Sequence, residues 1–197
     1  MKKYELTQNS VTVDDKTLYQ IRALKDFGSV KKGDLGGYIE TENNLSHDNN
    51  CWVYGNAQVS GNAQVFGDAY VYEHAWVSGN AQVFGNADVY GNAHVYGKAW
   101  VSGNAHVSGN AHVYGNAQVH GNARVYGNAQ VRGDVYVYGN AQVYGKARLG
   151  FVPINFNCDF DPYESFKKIL DHKEILPVLL GIDSGLDKMI SERLKHD

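Results

Sequence analysis

From Val53 to Leu149 an aliphatic residue stands at every sixth position without a break. The series runs Val53, Val59, Val65, Val71, Val77, Val83 and onward through Val143 to Leu149, seventeen positions in all. From Val59 on, an alanine lies two residues ahead of each aliphatic, as at Ala57, Ala63 and Ala69, replaced once by Val135. Gly-Asn precedes the alanine, as in Gly61-Asn62, and departures are few: Gly67-Asp68, Glu73-His74, Gly97-Lys98, Gly133-Asp134 and Gly145-Lys146. A repeat this long with neither insertion nor deletion fixes the architecture before any single residue is weighed.

Side-chain direction gives the unit its physical sense. In A-x-V-x the alternation of period two predicts a short strand with Ala and Val facing inward and both x residues outward. The Gly-Asn pair then turns a corner, glycine because it has no Cβ and asparagine because it tolerates the left-handed region. Three six-residue sides close a triangular coil in which each strand pairs in parallel with the coil above. At roughly 4.8 Å per strand, five to six coils make a rod about 25–30 Å long.

These residues resemble the hexapeptide-repeat, left-handed parallel β-helix family over about residues 51–150. The preceding stretch, RALKDFGSVKKGDLGGYIETENNLSHDNNCWVYGNA, resembles the lead-in of prophage-type hexapeptide-repeat proteins, a group labelled transferases or polymer-forming proteins. The resemblance implies a left-handed winding and a phage or prophage origin with a host protein as a partner. It also implies an alternative activity, acyl transfer from acetyl-CoA or another acyl-CoA by a histidine base at a subunit interface. Fold likeness alone is a weak warrant for chemistry.

The expected fold is an all-β solenoid with an N-terminal hairpin lead-in (residues 1–50), the repeat rod (51–150) and an extended, then helical, C-terminal segment (151–197). Val11-Thr12-Val13 and Leu18-Tyr19-Gln20-Ile21 flank Asp14-Asp15-Lys16 as a hairpin, and Leu35, Ile39, Leu45 and Cys51 loosely keep the six-residue frame. The regular repeat stops at Gly150. Asp161-Pro162-Tyr163-Glu164 reads as a helix start, and Leu186, Met189, Ile190 and Leu194 form one stripe of a second helix. Both helices are expected to cap the rod or to join subunits, because open parallel edges invite pairing.

Sorting outward residues by coil assigns them to three walls. One carries Trp52/Tyr54, Tyr70/Tyr72, Asp88/Tyr90, His106/Ser108, Arg124/Tyr126 and Gln142/Tyr144. Its column Tyr54, Tyr72, Tyr90, Tyr126, Tyr144 is the candidate contact surface, together with the apolar stripe of the last helix, and neighbouring rings are expected to stack. Asp88 and His106, one coil apart on that wall, are the candidate catalytic pair, a carboxylate orienting an imidazole. A second wall carries Trp76, His94, His112, Gln130 and Arg148 beside Tyr96, Tyr114 and Arg132; a third carries Phe66, Phe84, Trp100, His120, Tyr136 and Tyr138. His94 and His112 lack the third ligand that zinc needs, so no metal and no resident cofactor are expected.

Composition narrows the classes. The 197 residues carry a formal net charge of −3, with 22 glycines and only three prolines, which excludes collagen. Residues 51–150 hold five basic against four acidic side chains, too few and too scattered for nucleic-acid phosphates. No apolar run is long enough to cross a bilayer, the polar start lacks a signal-peptide core, and two cysteines make no disulfide framework, so a cytoplasmic protein is expected. The function these features favour is a non-enzymatic scaffold or protein-binding rod that self-associates as a dimer or trimer.

Overall fold

Alternating Ala and Val positions are sealed inside a three-walled parallel β-solenoid in a computed structural model that describes residues 2–150 and the backbone of the strand Asn155–Phe156. Every repeat alanine and valine from Ala57 to Val143 is buried, nearly all with no exposed surface, and Leu149 closes the series. Each wall strand is two residues long, an outward residue followed by the inward valine, as in Asp88–Val89 and His106–Val107. The C-terminal helices and the stripe Leu186, Met189, Ile190 and Leu194 lie outside the described residues.

The walls follow the 18-residue register. The tyrosine wall stacks Trp52–Val53, Tyr70–Val71, Asp88–Val89, His106–Val107, Arg124–Val125 and Gln142–Val143 in parallel. The histidine wall runs from Gln58–Val59 through Trp76, His94, His112 and Gln130 to Arg148–Leu149. The third wall stacks Gln64, Gln82, Trp100, Gln118 and Tyr136, each with its valine. Winding continues past Gly150, since Asn155–Phe156 pairs in parallel with Tyr136–Val137 at a spacing one residue longer than the repeat.

The corners divide the labour of the Gly-Asn pair differently from the expectation. Only the glycine takes positive φ, for example 72° at Gly115, whereas none of the repeat asparagines does. A Cβ on Gly115 would come within 2.7 Å of the Gly133 backbone nitrogen, so glycine is required both by its dihedral and by the tight approach of successive coils. The asparagine side chains instead bond along the rod: Asn86 donates to Asn104, Asn104 to Asn122 and Asn122 to Asn140, at 3.0–3.1 Å. Asparagine fits because its amide both donates and accepts, which lets one residue type repeat indefinitely in a ladder.

The lead-in closes the first coil. Tyr4–Val13 (β1) and Lys16–Ala23 (β2) form an antiparallel hairpin whose turn residues Asp14 and Asp15 have φ of 47° and 60°, the positive values a two-residue hairpin turn demands. β2 pairs antiparallel with Leu35–Ile39 (β3), and β3 joins the histidine wall by pairing in parallel with Gln58–Val59. Ile39 lies opposite Val59 and Leu45 opposite Val65, so the first coil is two residues longer than the rest. Ile39, Leu45 and Cys51 point inward as expected, but Leu35 is 54% exposed: the β2–β3 register shifts by one residue between Gln20/Tyr38 and Arg22/Leu35, which turns Leu35 off the inward face.

Candidate functional site

The outward column of the tyrosine wall is built by the same register that buries its valines. Tyr72 and Tyr90 stack face to face with centroids 4.8 Å apart and planes within 2°, and Tyr126 and Tyr144 stack at 5.3 Å. The spacing is that of parallel strands, so a residue repeated every 18 positions is carried to van der Waals contact with itself. Each stacked pair covers one face of each ring, and the wall presents ring edges and hydroxyls between them. Burial, with the Asp88 carboxylate nearby, pushes the Tyr72 phenol up to about 12.

Tyr54 stands apart from this column. Its ring meets Trp52 edge-on, tilts onto Tyr70 at 5.7 Å, and its hydroxyl lies 3.0 Å from the Ser29 hydroxyl. Trp52, placed on the outer wall by the register, is fully buried because the lead-in folds over it, with Phe27 at 5.3 Å and Tyr4 at 6.0 Å between centroids.

Asp88 and His106 are brought together as the spacing predicts. The Asp88 Oδ2 lies 3.4 Å from His106 Nδ1, an ion-pair distance for a protonated imidazole. Burial raises the Asp88 carboxyl above the ordinary range, and the His106 charge draws it back only in part. Ser108 takes the tyrosine's place beside His106 and makes no hydrogen bond to it among the described residues, so the three do not form a relay for nucleophilic attack. Both side chains of the pair are half-buried on the outer face of the rod.

On the histidine wall the rings of His94 and His112 stack at 4.8 Å, and Tyr96 stacks on Tyr114 at the same distance. Among the described residues no group of three or more His, Cys, Asp or Glu side chains is placed to hold a metal ion. The third wall carries the stacked pairs Phe66–Phe84 and His120–Tyr138 and the most exposed tryptophan, Trp100, at 43%. Its outward positions from Gln64 to Tyr138 include no formal charge, whereas the tyrosine wall carries Asp88 and Arg124. No helix among the described residues is long and apolar enough to cross a membrane.

A second cluster escapes the repeat pattern. Lys3 is fully buried, and its ammonium donates to the Cys51 carbonyl at 2.8 Å and reaches the Cys51 Sγ at 3.2 Å, over the Phe27 ring. Burial lowers the Lys3 amine and raises the Cys51 thiol. Beside it His47 stacks on Tyr4 at 4.3 Å and accepts the Lys3 backbone N–H through Nδ1. Cys51 keeps the six-residue frame, but sequence reasoning missed Lys3, Tyr4, Phe27 and His47 because they lie outside it, and no spacing in the sequence brings them to Cys51.

A corner-glycine solenoid with an alanine-valine core defines the class: the chain is a hexapeptide-repeat β-helix protein. The family model described as the YdcK Beta solenoid repeat matches it over residues 57–73, 81–97, 105–121 and 117–133. A curated relative, the "Uncharacterized acetyltransferase YdcK" of Escherichia coli (strain K12), is 37% identical over 62 residues. That match spans 27% of this chain and 19% of the relative.

Proposed function

We propose that this protein is a rigid, non-enzymatic scaffold that binds protein partners, including further copies of itself, through its aromatic outer walls. The observation that carries the reading is the outward column in which Tyr72 stacks on Tyr90 and Tyr126 on Tyr144 along a wall without a projecting loop. Rings held by their neighbours lose little freedom on binding, and tyrosine supplies apolar area with a polar tip, the profile of an interface anchor. Tyr54 contributes at the N-terminal margin of the same surface, and the apolar stripe Leu186, Met189, Ile190 and Leu194 adds a second contact element. The test is light scattering across a concentration series. Self-association of the parent that is lost in the Tyr72→Ser/Tyr90→Ser variant, with the β-sheet spectrum retained, is expected. An unchanged oligomer mass would remove the tyrosine column from the interface.

One observation favours a second reading, acyl transfer from acetyl-CoA or another acyl-CoA. Asp88 is placed to orient His106 as a base, and the relative's name includes an acetyltransferase. Against it, the pair lies open to solvent on an outer wall, and an enzyme of this kind encloses its reacting atoms. Calorimetric titration with acetyl-CoA separates the readings: no heat supports the scaffold, and micromolar binding abolished by His106→Phe supports the enzyme.

A further inference from the structure

The tyrosine column is interrupted once in its stacked part, at Ser108, which lies between Tyr90 and Tyr126 in the 18-residue register. Tyr90 stacks on Tyr72 on one side, and Tyr126 stacks on Tyr144 on the other. Across the serine the two inner rings are two coils apart, roughly 9–10 Å, which is the thickness of one further ring at ladder spacing. Neither ring has a stacking partner in that gap among the described residues. The half-buried Ser108 lies at its floor, and at its rim stands His106, turned through Nδ1 toward Asp88 at 3.4 Å.

The histidine wall shows that a ring fits beside such an imidazole. There His112 stands edge-on to Tyr96 at 6.3 Å and 89°, and Tyr114 nonetheless stacks on Tyr96 at 4.8 Å. On the tyrosine wall His106 stands edge-on to Tyr90 at 6.5 Å and 89°, the same disposition, with serine where that tyrosine would be. The rim of the gap therefore leaves room for a ring in the position Tyr114 occupies on its own wall.

We infer that the gap at Ser108 is a slot for one aromatic side chain of a protein partner, a tryptophan or tyrosine sandwiched between Tyr90 and Tyr126 with its N–H or O–H directed at His106. This rests on the reading of the tyrosine wall as a contact surface and names the anchor it receives. An imidazole in the neutral form with its Nδ1 proton toward the Asp88 carboxylate presents Nε2 as an acceptor, which suits a ring carrying a donor. The slot is open along its outer side, so a free aromatic amide binds it weakly, through two ring faces and the His106 edge alone. A ring projecting from a protein surface brings flanking contacts with the tyrosine edges, and aromatic anchors seated in such recesses carry much of an interface's affinity. The third wall has a parallel interruption at Ser102, between Phe84 and His120, but no carboxylate–imidazole pair at its rim.

The experiment uses the full chain with ¹³C-labelled tyrosine and four probes: N-acetyl-tryptophanamide, N-acetyl-tyrosinamide, N-acetyl-leucinamide and adenosine. Saturable shifts of the Tyr90 and Tyr126 ring signals with the two aromatic amides, and none with the leucine amide, are expected. Ser108→Tyr completes the ladder and should weaken binding at least tenfold, whereas Ser108→Ala should stay within about twofold. His106→Phe should weaken the tryptophan and tyrosine probes several-fold. Should Ser108→Tyr fail to fold, Ser108→Leu fills the same gap and carries the same expectation. Ring signals unmoved by the aromatic amides, or equal binding to the filled and open variants, would overturn the slot. Adenosine binding tenfold tighter than the tryptophan amide would also overturn it in favour of a nucleobase site. Because these shifts report the slot alone, its failure is distinct from failure of the wall, which light scattering of Tyr72→Ser/Tyr90→Ser reads separately.

Discussion

The imidazole of His94 lies flat against that of His112 one coil above, with centroids 4.8 Å apart and planes within 12°. Burial, reinforced by the second imidazole, holds the His94 ring below the ordinary histidine range. The unfolded chain therefore binds more protons than the folded one near pH 6, and stability falls as the pH drops through that range. His94→Gln should flatten the fall without disturbing the wall, since Gln130 already occupies the same column. Urea midpoints between pH 7.5 and 5 check this; a parent midpoint as steep as the variant's counts against it.

Glu73 is the one residue in the corner-glycine series that is not glycine, and it keeps the left-handed corner with φ of 61°. The coils are looser around it: the nearest backbone atom to a Cβ on Gly55, one coil below, would be the Glu73 carbonyl oxygen at 3.7 Å, against 3.0 Å or less for the nearest atom at the corner glycines from Gly61 to Gly127. A side chain in this conformation costs about 1 kcal/mol. Glu73→Gly should raise stability by roughly that amount, less the entropy glycine adds to the unfolded chain, and chemical denaturation should show a higher midpoint.

How much was legible in the sequence follows from what repeats. Val89 and Val107 sit in the same environment as fifteen other aliphatics, so their inward direction, the wall register and the meeting of Asp88 with His106 followed from arithmetic on position. The lead-in has no such redundancy. Lys3 reads as a solvated N-terminal charge, and only the fold of β1 over the first coil turns it inward onto Cys51. Trp52 follows the outward register yet is buried for the same reason. The asparagine ladder was hidden by a second cause. Asparagine is suited both to a left-handed corner and to an amide ladder, and the close approach of coils at Gly115 gives the corner dihedral to glycine.

Asn104 tests the ladder at its centre, where it accepts from Asn86 at 3.1 Å and donates to Asn122 at 3.0 Å. Both bonds face solvent, so their net worth is small, about 1 kcal/mol for the pair. Asn104→Ala should lower the denaturation midpoint by that much, and Asn104→Asp should restore part of it. Aspartate can still accept from Asn86, as Asp134 accepts from Asn116 at 2.8 Å in the neighbouring corner. An alanine variant as stable as the parent would make the ladder a passenger of the fold.

Lys3 pins the lead-in to the rod. The Lys3 ammonium satisfies the Cys51 carbonyl at 2.8 Å and reaches those of Asp48 and Asn49 at 3.4 Å, all beneath the hairpin. Lys3→Met keeps the apolar stem and removes the donor, leaving the buried Cys51 carbonyl without it at a cost of about 2 kcal/mol. In a solenoid each coil leans mainly on its neighbours, so the damage should stay local. Hydrogen exchange should accelerate across Tyr4–Val13 while the amides of His106–Val107 keep their protection. In a variant with Trp76 and Trp100 replaced by Phe, emission of the buried Trp52 should shift to the red as the hairpin lifts. Uniform loss of protection along the rod would show instead that hairpin and coils unfold as one unit, and no change would mean that the Lys3 donor is dispensable.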